Sequence, residues 1–327
     1  SIQGGKSKLN YYITMGLQDI GGVLKTSTHE NKSASINLNS KLLQDRLNIS
    51  VRSKNGWTQD RFSPDVMNAA RIFDPTQPVR DPESTEFGGY YQHESTLAVN
   101  NPVASLFLTN HTGSSFRSLN NIKLSYDLPF IEGLSFTVNG AYDLTEGDES
   151  RMQFPTLKAM ETGGEDGFLQ VNDDRITDRL IESYATYKKD LPGINSKINF
   201  VLGHSWQETE REFRWEFENF LQEADNDLGY EWSLPPKRDS SLLTNRLVSL
   251  YSRLNYTLAE KYLVTLSLRR DGSSRFGPAN QWGLFPSAAV AWRILQEDFA
   301  ADWDRTFSQL KLRMSFGVTG NQEFADY

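Results

Sequence analysis

The stretch Ser308-Gln309-Leu310-Lys311-Leu312-Arg313-Met314-Ser315-Phe316-Gly317 is apolar at every second position. Leu310, Leu312, Met314 and Phe316 fall on one side, and Gln309, Lys311, Arg313 and Ser315 on the other. A period of two belongs to a β-strand, because successive side chains leave opposite faces. The same one-sided pattern returns in 263–269, 287–294, 134–144 and 47–51. Strands with one apolar and one polar face need a solvent for each. In a membrane barrel those solvents are lipid and an aqueous lumen.

Outward from that stretch, about eleven strands are legible. They lie near 8–18, 32–42, 46–56, 116–126, 134–144, 178–188, 195–204, 242–256, 262–270, 287–294 and 308–317. The connections alternate in length. Short turns fall near Gln44-Asp45, at 127–133, at 189–193 and near 258–260, whereas long stretches run over 57–111, 145–177 and 205–240. Residues 18–31 and 271–286 read as further loops on the long side. Short turns on one side and long loops on the other are the asymmetry of a barrel, periplasmic at one end and extracellular at the other. A β-sandwich would have shorter loops. Within 208–222, Phe213, Phe217 and Phe220 fall at helical spacing among Glu208, Glu210, Glu212, Glu216 and Glu218, which predicts a helical insertion.

The chain has 327 residues, 38% of them apolar and 12% aromatic. Its mean hydropathy is -0.55, low for a large globular core. No run approaches the length of a transmembrane helix, which says nothing against barrel strands, since these give only alternate positions to lipid. There is no cysteine, so no disulfide or thiolate metal site exists. A net charge of -8 argues against nucleic acid as a partner. The first residues have no signal-peptide h-region and the last do not form a closing strand, so both ends read as cuts in a longer polypeptide.

Catalytic patterns are missing: there is no nucleophile elbow, Walker loop, dinucleotide fingerprint or metalloprotease helix. His29, His93, His111 and His204 are scattered without a metal-ligand spacing. The acidic groups Glu146-Gly147-Asp148-Glu149, Glu165-Asp166 and Asp173-Asp174 are oxygen-rich, and a loop Ca²⁺ is conceivable there, but none follows the EF-hand register. No metal and no other cofactor is expected. Aromatic residues of the long stretches (Phe87, Tyr90, Tyr91, Trp206, Trp215 and Trp232) are candidates for contact with a substrate or partner, and internal packing explains them equally well.

Several segments together resemble one family. They are Arg270-Asp271-Gly272-Ser273-Ser274-Arg275-Phe276-Gly277-Pro278, then Trp282-Gly283-Leu284-Phe285-Pro286-Ser287 with Ala291-Trp292-Arg293-Ile294, and 310–322. Gly4-Gly5, Asn68-Ala69-Ala70-Arg71, Asp74-Pro75-Thr76 and Asn100-Asn101-Pro102-Val103-Ala104 add to the match. Over nearly the whole chain this resembles the SusC/RagA family of TonB-dependent outer-membrane transporters of Bacteroidetes. The resemblance implies an all-β fold: about half of an antiparallel barrel of roughly 22 strands with a plug. Residues 1–327 would be part of that barrel, without the plug domain and the C-terminal strands.

The resemblance also implies import of large nutrients, oligosaccharides or peptides. A SusD-like surface lipoprotein would be the partner, and the TonB-ExbB-ExbD complex would act through the plug. Arg52, Lys123, Asn139 and Arg313 would face the lumen. Transport breaks no bond, so no enzyme is expected. Two alternatives stay open from the residues alone: an outer-membrane surface module that binds without transporting, and a soluble β-rich binding protein.

Overall fold

The computed structural model describes residues 1–83, 87–93, 95, 98–157, 167–222, 230–232 and 237–322. Among these residues one antiparallel sheet dominates, with strands that pair in sequence order. The first half holds β1 (Ile2–Lys6), β2 (Leu9–Gly21), β3 (Thr28–Leu42), β4 (Leu47–Phe62), β5 (Thr109–Asp127) and β6 (Leu134–Gln153). The second holds β7 (Phe168–Leu191), β8 (Ser196–Gln222), β10 (Lys237–Leu258), β11 (Tyr262–Ser273), β12 (Trp282–Arg293) and β13 (Lys311–Gly317). A short β9 (Tyr230–Trp232) pairs only with β8. The described sheet is open, with β1 and β13 at its edges.

All eleven stretches read from the sequence are strands. Most run further than their apolar stripe, so the long connections shrink. The segment 208–222 is the upper part of β8, paired on both sides as far as Phe217, and not a helix. Its charges recur at every second position, and the paired backbone of β7 and β10 decides the conformation over the weaker helical spacing of three phenylalanines. Residues 18–21 and 28–31 likewise belong to β2 and β3, so that loop is only 22–27. Between β4 and β5 the chain forms helices α1 (Met67–Ile72) and α2 (Pro102–Phe107). The Glu165-Asp166 pair lies outside the described residues.

Hairpin geometry accounts for the short turns. Leu43, Gln44 and Asp45 all take positive φ between β3 and β4, as do Ala259 and Glu260 between β10 and β11. Such turns follow the right-handed twist of the flanking strands. Gly133, at φ +83°, closes the β5–β6 turn against β7, where a methyl group would meet the Lys188 carbonyl oxygen. One connection at this end breaks the pattern of short turns. Residues 294–310, between β12 and β13, carry three one-turn 3-10 helices.

Burial is the reverse of that in a soluble sheet. Met15 is 80% exposed, Leu17 83% and Phe316 73%, all on one face. Among the described residues, Tyr90, Ala104 and Leu157, with Val103 and Leu108 packed against them, form the buried apolar cluster of a small lobe made by the described part of the β4–β5 connection together with Leu157. Asn101 pins this lobe. Its Oδ1 accepts from the Val103 and Ala104 amides at the start of α2, and its Nδ2 donates to the Val79 and Tyr91 carbonyls at 2.9 and 3.0 Å. An Asn before a Pro is a helix-start signal.

Candidate functional site

The pairing register fixes which residues share a face. Leu9 to Leu17 by twos, Leu47 to Val51, Ile122 to Tyr126, Leu134 to Val138, Ile198 to Leu202, Tyr262 to Leu268 and Leu312 to Phe316 all lie on one face. On that face no Asp, Glu, Lys or Arg occurs in 9–17, 34–42, 47–57, 116–126, 134–144, 181–187, 198–206, 248–258, 262–268, 282–292 or 312–316. The longer of these ranges span nine to eleven residues, about what a tilted strand needs to cross the hydrocarbon layer. Aromatic side chains mark both borders. Tyr126, Tyr187, Tyr256, Tyr262 and Trp292 stand at the short-turn end. Trp57 against Phe116, with ring centroids 5.2 Å apart, stands at the other, together with Trp206 and Trp282. Arg270 lies over the Trp282 ring at 4.6 Å. Aromatic girdles at the two borders of an apolar band are the mark of a membrane barrel.

Above the band the two faces exchange character. The formerly apolar face carries Glu208, which is buried between the Arg179 and Arg246 guanidiniums at 2.6 and 2.5 Å. The two guanidiniums, themselves partly exposed, cover the carboxylate and donate to both of its oxygens. The opposite face of the same strands carries Trp215 and Phe217, near parallel at 6.0 Å, with Phe168 5.5 Å from Phe217 and the Arg151 guanidinium 5.5 Å over Phe168. Beside them, Glu149 accepts from Asn172 Nδ2 at 3.3 Å and its Oε1 lies 2.6 Å from His111 Nε2.

Arg52, Lys123, Asn139 and Arg313 all fall on the polar face in register. Asn139 sits within a cross-strand chain: Asn121 Nδ2 donates to its Oδ1 at 2.7 Å, and its own Nδ2 donates to Glu182 Oε2 at 3.2 Å. On the same face the Ser125 and Thr137 hydroxyls of β5 and β6 are 2.8 Å apart, and the Ser267 and Ser287 hydroxyls of β11 and β12 are 2.6 Å apart. Such polar pairs satisfy one another across a face that water reaches.

The aromatic candidates do not form one group. Trp206 and Trp215 are an odd number of residues apart on β8, so they leave opposite faces: Trp206 is beside Ile181 and Val248 on the apolar band, and Trp215 beside Asn172 and Asp239. Neither is in a loop. Trp232 belongs to β9, where its backbone pairs with Phe220. Tyr90 is buried at 3% exposure under the Arg80 guanidinium, so internal packing explains it, while Phe87 and Tyr91 are half-buried in the same lobe. The acidic clusters are divided by the strand alternation: Glu146 and Asp148 leave one face and Glu149 the other, and Asp173 and Asp174 part in the same way. Among the described residues no three His, Asp or Glu side chains gather to hold a metal ion. The signal the sequence reading missed was the period-two set Phe213, Trp215, Phe217, masked there by the helical spacing of the same phenylalanines.

Comparison with known proteins gives a consistent picture. Residues 75–324 match the TonB dependent receptor-like, beta-barrel family. The whole chain is 30% identical to the TonB-dependent receptor SusC of Bacteroides thetaiotaomicron, covering 34% of it, and 28% identical to the TonB-dependent receptor P3 of Formosa agariphila, covering 33%. The chain thus spans about a third of the length of the curated relatives it matches. Among solved structures, the RagAB peptide transporter superposes with a TM-score of 0.76 at 19% identity, over 99% of this chain and 37% of that one. The ferric preacinetobactin receptor BauA of Acinetobacter baumannii does so with a TM-score of 0.50 at 12% identity, over 89% and 41%. At these identities the structural likeness speaks for the fold.

Proposed function

The chain belongs to the TonB-dependent receptor-like β-barrel family, and from that premise we propose that it is a wall segment of an outer-membrane importer of large nutrients, oligosaccharides or peptides. The observation that carries the proposal is the charge-free apolar band on one face, bordered by aromatic girdles, backed by a hydrogen-bonded polar face. Family membership implies the outer membrane and transport rather than catalysis. The remaining strands and the plug would lie in the rest of the polypeptide, since an open sheet in lipid leaves unpaired backbone groups at a cost of several kcal/mol each.

In this proposal Arg52, Lys123, Asn139 and Arg313 line the lumen or meet the plug. Trp215, with Phe217 and Phe168, faces the substrate cavity above the band, whereas Trp206 is an interfacial anchor. The lobe holding Phe87, Tyr90 and Tyr91 forms part of the cavity rim or of the seat for a SusD-like lipoprotein; Trp232 belongs to the same upper region. Import would draw on TonB-ExbB-ExbD through the plug. SusC and RagAB among the similar proteins support the lipoprotein partner.

The test is uptake of candidate oligosaccharides and peptides by cells carrying the full-length protein, with and without TonB. The expected result is saturable uptake of one class that disappears when TonB is removed. Binding at the cell surface with no TonB-dependent uptake of any ligand would instead favour a surface module that does not transport.

A further inference from the structure

At the end of the sheet where β3 turns into β4 and β5 into β6, the connections are tight turns, except for 294–310. This excursion is fastened to the apolar face. The Glu297 carboxylate accepts from the Tyr262 hydroxyl at 2.6 Å, from Trp292 Nε1 at 2.9 Å and from Lys261 Nζ at 2.8 Å. Tyr262 and Trp292 are direct cross-strand partners on the apolar face, within the lower aromatic girdle. The Phe299 ring meets Trp292 edge-on at 6.2 Å, and Trp303 meets Phe299 at 6.0 Å.

The excursion therefore folds back on the outside of the sheet and not beneath its polar face. The excursion buries Ala300 completely. Its three large aromatic side chains point elsewhere: Phe299 is 62% exposed, Trp303 43% and Phe307 48%. Beside them Asp298, Asp302 and Arg305 are exposed to solvent. Aromatic rings mixed with charges, continuous with the girdle of an apolar band, are suited to the headgroup layer, where amphipathic segments bury one side to a depth of about 5–10 Å.

We propose that residues 294–307 are a membrane-interface foot, with Phe299, Trp303 and Phe307 seated in the phospholipid leaflet on the periplasmic side. Glu297 sets the foot's angle by tying it to the two girdle residues. The occupant of this aromatic patch is the lipid surface itself, because the patch extends the face that the proposed function gives to lipid, and the inference rests on that reading. The foot adds to the strand girdle a non-strand anchor that resists vertical displacement of β12 and β13.

The experiment uses the full-length protein reconstituted in phosphatidylcholine vesicles. The present chain has no cysteine, so Phe299→Cys, Trp303→Cys and Phe307→Cys each give this region one attachment point for an environment-sensitive dye. Asp190→Cys, at the same end of the sheet but on its polar face, is the control. Assembly of each variant is checked by heat-modifiable migration. The expected result is blue-shifted emission at the three foot positions, quenched by lipid carrying a nitroxide near the headgroup and insensitive to aqueous iodide, with the reverse at Asp190→Cys. Iodide quenching at the foot would place it in water and overturn the proposal. Protection from both quenchers would place it under protein and overturn it equally.

Discussion

At the residue scale, position parity along a strand decides what a side chain meets. Arg52, Lys123, Asn139 and Arg313 could be assigned to the polar face from the sequence because each lies within an unbroken apolar alternation. Trp206 and Trp215 could not be separated in that way, since the alternation changes character between them and only the continuous register shows that they part. Tyr90 illustrates a different limit: its burial depends on Ala104 and Leu157, distant residues that no local pattern connects to it. Glu297 was likewise silent in the sequence. Hydrogen bonds from Lys261, Tyr262 and Trp292, in that order of effect, hold its carboxyl at about 2, down from the ordinary 4.5. A depressed carboxyl contributes stability that is fully present above its unfolded value and lost as pH falls through the folded one. A dye at Phe299→Cys should therefore report the same environment at pH 7 and pH 5, and release as the pH approaches about 2. Glu297→Gln should show the released environment already at neutral pH, with barrel assembly unchanged. A dye signal identical in both proteins across this range would remove Glu297 from the tether.

At the element scale, strand existence was legible and strand length was not. A strand announces itself by an apolar stripe, and the stripe stops where lipid stops. The backbone ladder continues beyond it: β8 extends from Ser196 to Gln222 although its run on the apolar face ends at Trp206. Above that point the outward positions are Glu208, Glu210 and Glu212 and the inward ones Phe213, Trp215 and Phe217, so the period of two persists with its faces exchanged. The phenylalanine spacing by itself predicts a helix. Hydrogen exchange discriminates the two directly. The amides of residues 208–217 are bonded to β7 and β10 alternately, so they should exchange slowly, and loosening β10 with Leu243→Pro should speed exchange in this stretch because a proline removes a ladder donor. Exchange over 208–217 that is unchanged by a break in β10 would fit a self-contained helix and contradict the paired strand.

At the scale of the whole molecule, the sheet carries an inverted distribution of polarity. Within the charge-free band the large apolar side chains lie on one face, and hydrogen-bonded Asn, Ser, Thr and charged side chains line the other. A soluble protein does not leave an apolar face of this extent open to water. The antiparallel order, the asymmetric connections and the family could be read from the sequence. The long connection 294–310 on the short-turn side could not, because nothing in its composition says on which face it folds. The most direct measurement compares the full-length protein carrying Leu266→Lys with the one carrying Lys311→Leu, by outer-membrane fractionation and heat-modifiable migration. Leu266 is midway between Tyr262 and Arg270 on the apolar face, and Lys311 lies on the polar face. A lysine at mid-depth on a lipid-facing surface costs about 2–4 kcal/mol. Leu266→Lys should be depleted from the assembled outer-membrane form while Lys311→Leu is retained. Equal assembly of the two variants would contradict the assignment of the apolar face to lipid.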